Sequence, residues 1–171
     1  MEIPYLKVKI VRDGALMPSK REEDACYDLY GVFEEEAVFL YPGDIRLTAL
    51  GIATEFPKNW FFRIFERSSA GSKGISARSG IIDSGYRGEY FTPLNNVSNR
   101  LIVISNLPED KVREKYFEKI KGYEENLLVY PQNKAIAQGT LLYSPHIEIE
   151  QVDELDMATI RGAGALGSSG K

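Results

Sequence analysis

The sequence predicts an all-β domain, a jelly-roll-like β-barrel with a small helical insertion and a flexible C-terminal arm. Three observations predict it. Short runs rich in β-branched and aromatic residues recur along most of the chain, turn-forming residues cluster between them, and one segment alone carries a helical period. The predicted strands are, in order, Lys7–Val11, Ala37–Leu40, Ile45–Thr48, Trp60–Arg67, Glu89–Leu94, Arg100–Ser105, Asn126–Tyr130, Thr140–Tyr143 and Ile147–Val152. Between them stand turns such as Tyr41-Pro42-Gly43-Asp44 and Tyr130-Pro131-Gln132-Asn133.

The helical exception runs from Asn106 to Gly122. Val112, Tyr116 and Ile120 lie four residues apart on one face, Asn106 can cap the start with Glu109 three residues on, and Gly122 suits the residue after the end. Its apolar stripe is narrow, so the helix is expected to dock on the barrel without forming a second core. From Arg161 to Lys171 the chain is Gly-, Ala- and Ser-rich without periodicity, which predicts a flexible arm. The division is therefore a barrel at 1–160, an insertion at about 97–125 within it, and an arm at 161–171.

Composition narrows the chemistry. The chain has 171 residues, 43% hydrophobic and 27% charged, with net charge −4, which excludes a nucleic-acid duplex as the main partner. A small anion is still compatible, because local basic side chains and backbone N–H groups can oppose the global charge. Cys26 is the single cysteine, so no internal disulfide forms and a reducing, cytoplasmic setting is expected. No apolar run approaches the roughly 18 residues that a membrane span needs. One cysteine and one histidine, His146, are too few for the usual zinc sites, and no nucleophile-elbow sequence accompanies His146.

Three segments hold parts suited to a phosphate chain. Arg67-Ser68-Ser69 leads into Ala70-Gly71-Ser72-Lys73-Gly74 and offers a guanidinium fork, hydroxyl donors and glycines that permit close backbone approach. Gly80-Ile81-Ile82-Asp83-Ser84-Gly85-Tyr86-Arg87-Gly88-Glu89 places a carboxylate and a flat aromatic ring at a hairpin mouth, where Asp83 can take a proton from water. Arg161-Gly162-Ala163-Gly164-Ala165-Leu166-Gly167-Ser168-Ser169-Gly170 is an arm that can fold over a ligand. Taken singly, each has a plainer reading: a polar turn, an Asx-turn and a linker.

Taken together and in order they carry more. With Asp24-Ala25-Cys26-Tyr27-Asp28-Leu29-Tyr30 before them and Ile136-Ala137-Gln138 between the second and the arm, they form a sequence that resembles the trimeric dUTPase family. The resemblance spans nearly the whole chain apart from the insertion. It implies a barrel of the dUTPase type, a homotrimer, and Mg²⁺-assisted hydrolysis of dUTP to dUMP and pyrophosphate by water attack at the α-phosphorus. Matching the family's motifs residue by residue, Asp28 would hold the magnesium ion through water, and Arg67, Ser68, Ser69 and Gln138 would contact the phosphates. Asp83 would activate the water and Tyr86 would lie against the deoxyribose and exclude a 2′-hydroxyl. Backbone groups from Ala77 to Gly80 would read uracil, and Arg161, Leu166, Ser168 and Ser169 would close over the nucleotide of a neighbouring subunit.

The chain departs from the family pattern at several places. Leu166 stands where an aromatic residue usually stacks on the base, Ala165 replaces a glycine, Cys26 a glycine, Ala135 a basic residue, Asn133 a turn glycine and Gly85 an aspartate. Two alternatives follow from the resemblance. dCTP deaminase shares the fold and the Arg-Ser-Ser segment, but its catalytic glutamate would fall at Thr92-Pro93-Leu94, which holds no carboxylate. Some phage dUTPases resemble this chain in carrying an insertion that binds a repressor protein, so the insertion is either a partner-binding element or a cover for a sheet edge, and a phage or viral protein of the host cytoplasm is one expectation. No family site residue falls within 97–125, so exchanging that span for a short Gly/Ser turn is expected to spare hydrolysis.

Overall fold

The structure is a computed structural model that describes residues 4–159. The arm, with Arg161, Leu166, Ser168 and Ser169, lies outside the described residues. The first strands are β1 (Lys7–Ile10), β2 (Tyr27–Leu29), β3 (Ala37–Leu40), β4 (Ile45–Ala49), β5 (Ile52–Glu55) and β6 (Trp60–Glu66). A single turn of helix, α1 (Ser68–Gly71), leads to β7 (Ile75–Ala77), β8 (Ile81–Asp83), β9 (Phe91–Asn96) and β10 (Leu101–Ser105). Two short helices, α2 (Glu109–Lys115) and α3 (Phe117–Ile120), precede β11 (Leu127–Tyr130) and β12 (Ala137–Tyr143).

The strands form four small sheets, ordered β1-β5, β11-β10-β3, β2-β12-β6-β8 and β4-β9-β7, wrapped around one main core. This is the jelly-roll-like arrangement the sequence predicts, although among the described residues none of the sheets closes on itself. Strand alternation builds the core. Leu29, Ile64 and Ala137 of the four-stranded sheet point inward and are almost fully buried, as are Val38, Leu40, Ile102 and Ile104 of the sheet containing β10. Among the described residues no helix is long and apolar enough to cross a membrane.

The helical segment differs from its expectation. The helix begins at Glu109, because Pro108 (φ −58°, ψ 152°) precedes it in an extended conformation, and it breaks at Tyr116 (φ −118°, ψ 29°). Asn106 does not cap it; its Oδ1 accepts the Asn133 N–H at 3.3 Å. Tyr116 is taken by tertiary contacts: its ring sits edge-on to Phe39 at 5.2 Å and its hydroxyl donates to Glu36 at 2.7 Å. Gly122 adopts the left-handed φ of +87° expected after a helix end.

The helices do form a second core. Val112 and Ile120 are buried with Leu101 and Val103, and Phe39, Tyr41, Leu107, Tyr116, Tyr123, Leu127 and Val129 pack around them. The stripe alone was too narrow a guide, because the outer face of the β3–β10–β11 sheet supplies the other half. β10 is buried along its whole length for this reason: Ile102 and Ile104 face the main core, Leu101 and Val103 the helices. It also lies inside the span 97–125, so the excursion from the sheet runs only from Asn106 to Asn126. β10 and β11 pair in parallel. Parallel neighbours need a crossover of about a dozen residues or more, and exchanging 97–125 would also remove the buried strand β10 from both cores. A short Gly/Ser turn there would therefore disrupt the fold that carries hydrolysis, contrary to the expectation that it spares activity.

Other strand predictions shift for local reasons. β9 starts at Phe91 rather than Glu89, since Glu89 is drawn into an ion pair with Arg12 and Tyr90 bonds backbone groups of Leu50 and Ile52. β2, β5, β7 and β8, of three or four residues each, are too short to show periodicity. The predicted strand Ile147–Val152 does not form within one chain. Its alternating apolar side chains stand in solvent, with Ile147 72% and Ile149 97% exposed.

Candidate active site

The sheet β2-β12-β6 brings together residues far apart in sequence. Asp28 on β2 is in register with Gln138 on β12, so both side chains leave the outer face while Leu29 and Ala137 fill the core. β6 ends beside them, and Arg67 follows it into α1, where the Ala70 and Gly71 N–H groups close the turn on the Arg67 carbonyl at 3.0 and 2.8 Å. An open cleft results, lined by Ser19, Lys20, Asp28, Arg67, Ser68, Ser69 and Gln138, with Cys26 at its wall.

Charge is organised around Arg67. Its Nε and Nη2 donate to the two oxygens of Asp28 at 2.7 and 2.9 Å, and Nη1 donates to Ser69 Oγ at 2.7 Å. Hydrogen bonding to Asp28 raises the Arg67 pKa, so the guanidinium stays charged under all working conditions. The Gln138 amide donates to the Glu66 carbonyl at 2.8 Å, and the Glu66 carboxylate accepts from the Ser76 hydroxyl. Burial raises the Cys26 thiol pKa, so Cys26 is no ready thiolate. Ala77, Ser79, Arg63 and Phe65 line a second recess that meets the first at Gln138 and Cys26.

Asp83 lies elsewhere. It ends β8 and pairs with Phe61 near the start of β6, whereas Arg67 follows the end of that strand. Six residue steps of extended chain separate Phe61 from Arg67, a span of roughly 20 Å. Asp83 shares its cleft with Trp60, Ser84, Pro145 and His146, the histidine that sequence reasoning set aside. Tyr86 follows in a tight turn, its N–H donating to the Asp83 carbonyl at 3.0 Å, its hydroxyl to the Glu89 carbonyl at 3.0 Å, and its ring stacked on Tyr90. Gly80 sits at the base of this hairpin, where its carbonyl accepts the Ile64 N–H at 3.3 Å.

One chain thus assembles Asp28, Arg67, Ser68, Ser69 and Gln138, and holds Asp83 and Tyr86 apart from them. Sequence reasoning missed the Arg67–Asp28 pair, whose members are 39 positions apart, and the contact of Arg12 with Glu89. No spacing pattern announces contacts of that separation. Among the described residues no three His, Cys, Asp or Glu side chains gather to hold a metal directly. Both Asp28 oxygens accept from Arg67 and the nearby Asp24 accepts from Arg21 at 3.2 Å, so a hard cation at this cleft would take phosphate and water as its ligands and meet protein carboxylate only through water. The stretch Thr92-Pro93-Leu94, where the deaminase glutamate would fall, lies on β9, and Thr92 is fully buried and hydrogen-bonded to Ser79.

A β-rich fold with a guanidinium fork, serine hydroxyls and an amide around an open cleft offers the donor groups that a phosphate-binding protein uses. The family model for dUTPase matches residues 12–107, and the chain belongs to the dUTPase family. It is 31% identical over 170 residues to the deoxyuridine 5′-triphosphate nucleotidohydrolase of Nautilia profundicola, covering 97% of this chain and 99% of that one. It is 30% identical to the Escherichia phage T5 protein of the same name, over 96% and 98%. A 29% match to the Pol polyprotein of caprine arthritis encephalitis virus spans 12% of that much longer protein. The fold is shared with the Staphylococcus bacteriophage 80alpha dUTPase solved with dUPNHPP, at TM-score 0.74 and 24% identity over 98% of this chain and 99% of that one. It is shared also with a phage phi11 dUTPase mutant described as coordinating a structural Mg(II) ion, at TM-score 0.65 and 20% identity, over 88% of this chain and 97% of that one.

Proposed function

We propose that this dUTPase hydrolyses dUTP to dUMP and pyrophosphate in active sites shared among the chains of a homotrimer. The observation that carries the shared site is the separation of roughly 20 Å along β6 between the Asp83 end and Arg67. A base at the α-phosphorus and a fork on the same phosphate chain have to lie within one nucleotide's length, which two different subunits can provide. The unpaired stretch Ile147–Val152 and the exposed Ile45 and Leu47 on β4 supply apolar surface for such an assembly.

Within that site Arg67, Ser68, Ser69 and Gln138 bind and orient the phosphates. Asp83 holds the attacking water and takes its proton, Tyr86 flanks the deoxyribose, and backbone groups from Ala77 to Gly80 read uracil. Arg161, Leu166, Ser168 and Ser169 of the arm close over the nucleotide. Mg²⁺, when bound, neutralises phosphate charge and makes pyrophosphate a better leaving group, with Asp28 holding it through water. Asp28 orients Arg67 as well, since both of its oxygens accept from that guanidinium. The cytoplasm is the fitting compartment for a nucleotide substrate and a single unpaired cysteine. The excursion from Asn106 to Asn126 buries its apolar stripe on its own sheet, so a repressor-like partner would have to read its outer face, where Phe117 is exposed.

The test is product identification with dUTP, dCTP, dTTP and UTP in the presence of Mg²⁺. dUMP and pyrophosphate from dUTP are expected; ammonia from dCTP would overturn the reading. Asp83→Asn and Arg67→Ala chains, each inactive alone, should recover activity when mixed, up to about a quarter of the sites in an equal mixture of exchanging trimers. No recovery in trimers shown to have exchanged, or a fully active monomer, would sink the shared site.

A further inference from the structure

The turn that carries Tyr86 is held from outside its own hairpin. Arg12, beyond the end of β1, directs Nε and Nη2 to the two carboxylate oxygens of Glu89, both at 2.8 Å, and Nη1 to Glu34 at 3.2 Å. The Glu89 side chain is 17% exposed and that of Arg12 36%, so the fork sits in a partly dehydrated seam. The carbonyl of the same Glu89 accepts the Tyr86 hydroxyl at 3.0 Å. Gly88 lies so close beneath the phenol that a Cβ there would stand 2.4 Å from the Tyr86 oxygen. Arg87 ties the turn again, donating to the Ser84 and Tyr86 carbonyls at 2.7 and 2.9 Å.

Tyr86 needs such support. It is 44% exposed and its ring stacks on Tyr90, with ring centroids 6.3 Å apart. A ring that excludes a 2′-hydroxyl by contact must hold its place to within about 0.5 Å, or it yields to the larger sugar. The hydroxyl–carbonyl bond pins the far end of the ring, and that carbonyl belongs to the residue whose carboxylate Arg12 clamps.

We propose that Arg12 and Glu89 are positioning residues for sugar selection, setting the Tyr86 ring through the Glu89 main chain. The proposal rests on the placement of Tyr86 against the deoxyribose. Hydrogen bonding to Arg12 lowers the Glu89 pKa, so the clamp is charged at neutral pH. A pair that only tied the N-terminal segment to the hairpin would change stability and leave selectivity alone.

The experiment compares kcat/KM for dUTP and UTP in Arg12→Ala, Arg12→Lys, Glu89→Gln, Tyr86→Phe and Tyr86→Ala. Steric rejection of an added hydroxyl is of order 10², so loss of the clamp is expected to reduce the dUTP/UTP ratio about tenfold. Part of the change should be a rise in UTP turnover, which a loss of stability cannot produce. Arg12→Lys, with a point charge in place of a fork, should fall between. In a Tyr86→Phe background, which cuts the link, Arg12→Ala should lower the ratio by less than about twofold more. Should Arg12→Ala fail to fold, Arg12→Lys and Glu89→Gln carry the comparison. An unchanged ratio in these variants beside its collapse in Tyr86→Ala would overturn the clamp and leave the role of Tyr86 standing. An unchanged ratio in Tyr86→Ala would overturn that role, and the clamp with it.

Discussion

Replacing Ile120 with Ala tests whether the helical crossover is part of the barrel's stability or an arm held ready for a partner. Ile120 is 1% exposed and packs with Leu101, Val103 and Val112 between α3 and the outer face of β10. Truncating a buried isoleucine costs about 2–5 kcal/mol, through lost transfer energy and the cavity left behind. A domain of this size loses roughly 2–4 °C of melting temperature per kcal/mol, so a fall of about 4–20 °C is expected. No residue from 106 to 126 lines either the Arg67 cleft or the Asp83 cleft. The kcat and KM for dUTP, measured well below the melting range, should therefore stay within about twofold of the parent enzyme, as expected for distant, uncoupled sites. The assays are a thermal melt followed by circular dichroism and steady-state pyrophosphate release. An unchanged melting temperature would refute the second core, and collapse of kcat in a variant that still melts cooperatively would place the crossover in the active site.

Other outcomes follow from single positions. Gly139→Ala on β12 would put a Cβ 2.4 Å from the Phe62 ring and 3.0 Å from the Arg63 carbonyl, so overpacking of about 1–3 kcal/mol and a raised KM through the adjacent Gln138 are expected; an unperturbed melt and KM would show that the sheet gives way freely. Burial pushes the Tyr90 pKa up to about 12 in the folded protein, from the ordinary phenol value of 10.0. Because the folded value is raised, its stabilisation is complete below pH 10 and is lost between about pH 10 and 12, amounting to roughly 3 kcal/mol. Urea midpoints across that range should fall more steeply in the parent than in Tyr90→Phe; parallel curves would contradict the assignment. Leu166→Phe should keep kcat within a few-fold or lower KM, since stacking on a base contributes on the order of 1–3 kcal/mol; a large loss in nucleotide affinity would mean the closing arm is fitted to leucine.

Legibility divided by distance along the chain. Arg67-Ser68-Ser69 stands out locally because a fork, two hydroxyls and glycines lie side by side, the groups a phosphate contact uses. Asp83 and Tyr86 stand out in the same way, as a carboxylate and a ring three residues apart at a turn. Asp28 was readable only as one member of an ordered set of motifs, and its bidentate grip on Arg67 was not readable at all. The same holds for Arg12 and Glu89, 77 positions apart. The narrow stripe on the crossover helix misled because its burial depends on a sheet face contributed by other strands.

The sequence by itself determined the all-β class, the turns, the helical interruption and the chemical groups offered to a nucleotide. Each depends on neighbours within a few residues, where periodicity, φ preference and side-chain chemistry act directly. Tertiary structure alone decided that β10 and β11 run parallel, which turns an apparent insertion into a required crossover. It alone set Asp28 and Gln138 in register beside Arg67, and Asp83 at the opposite end of β6. Strand partners are chosen by which faces can be buried together, and that choice is made between segments tens of residues apart, where no local pattern reaches.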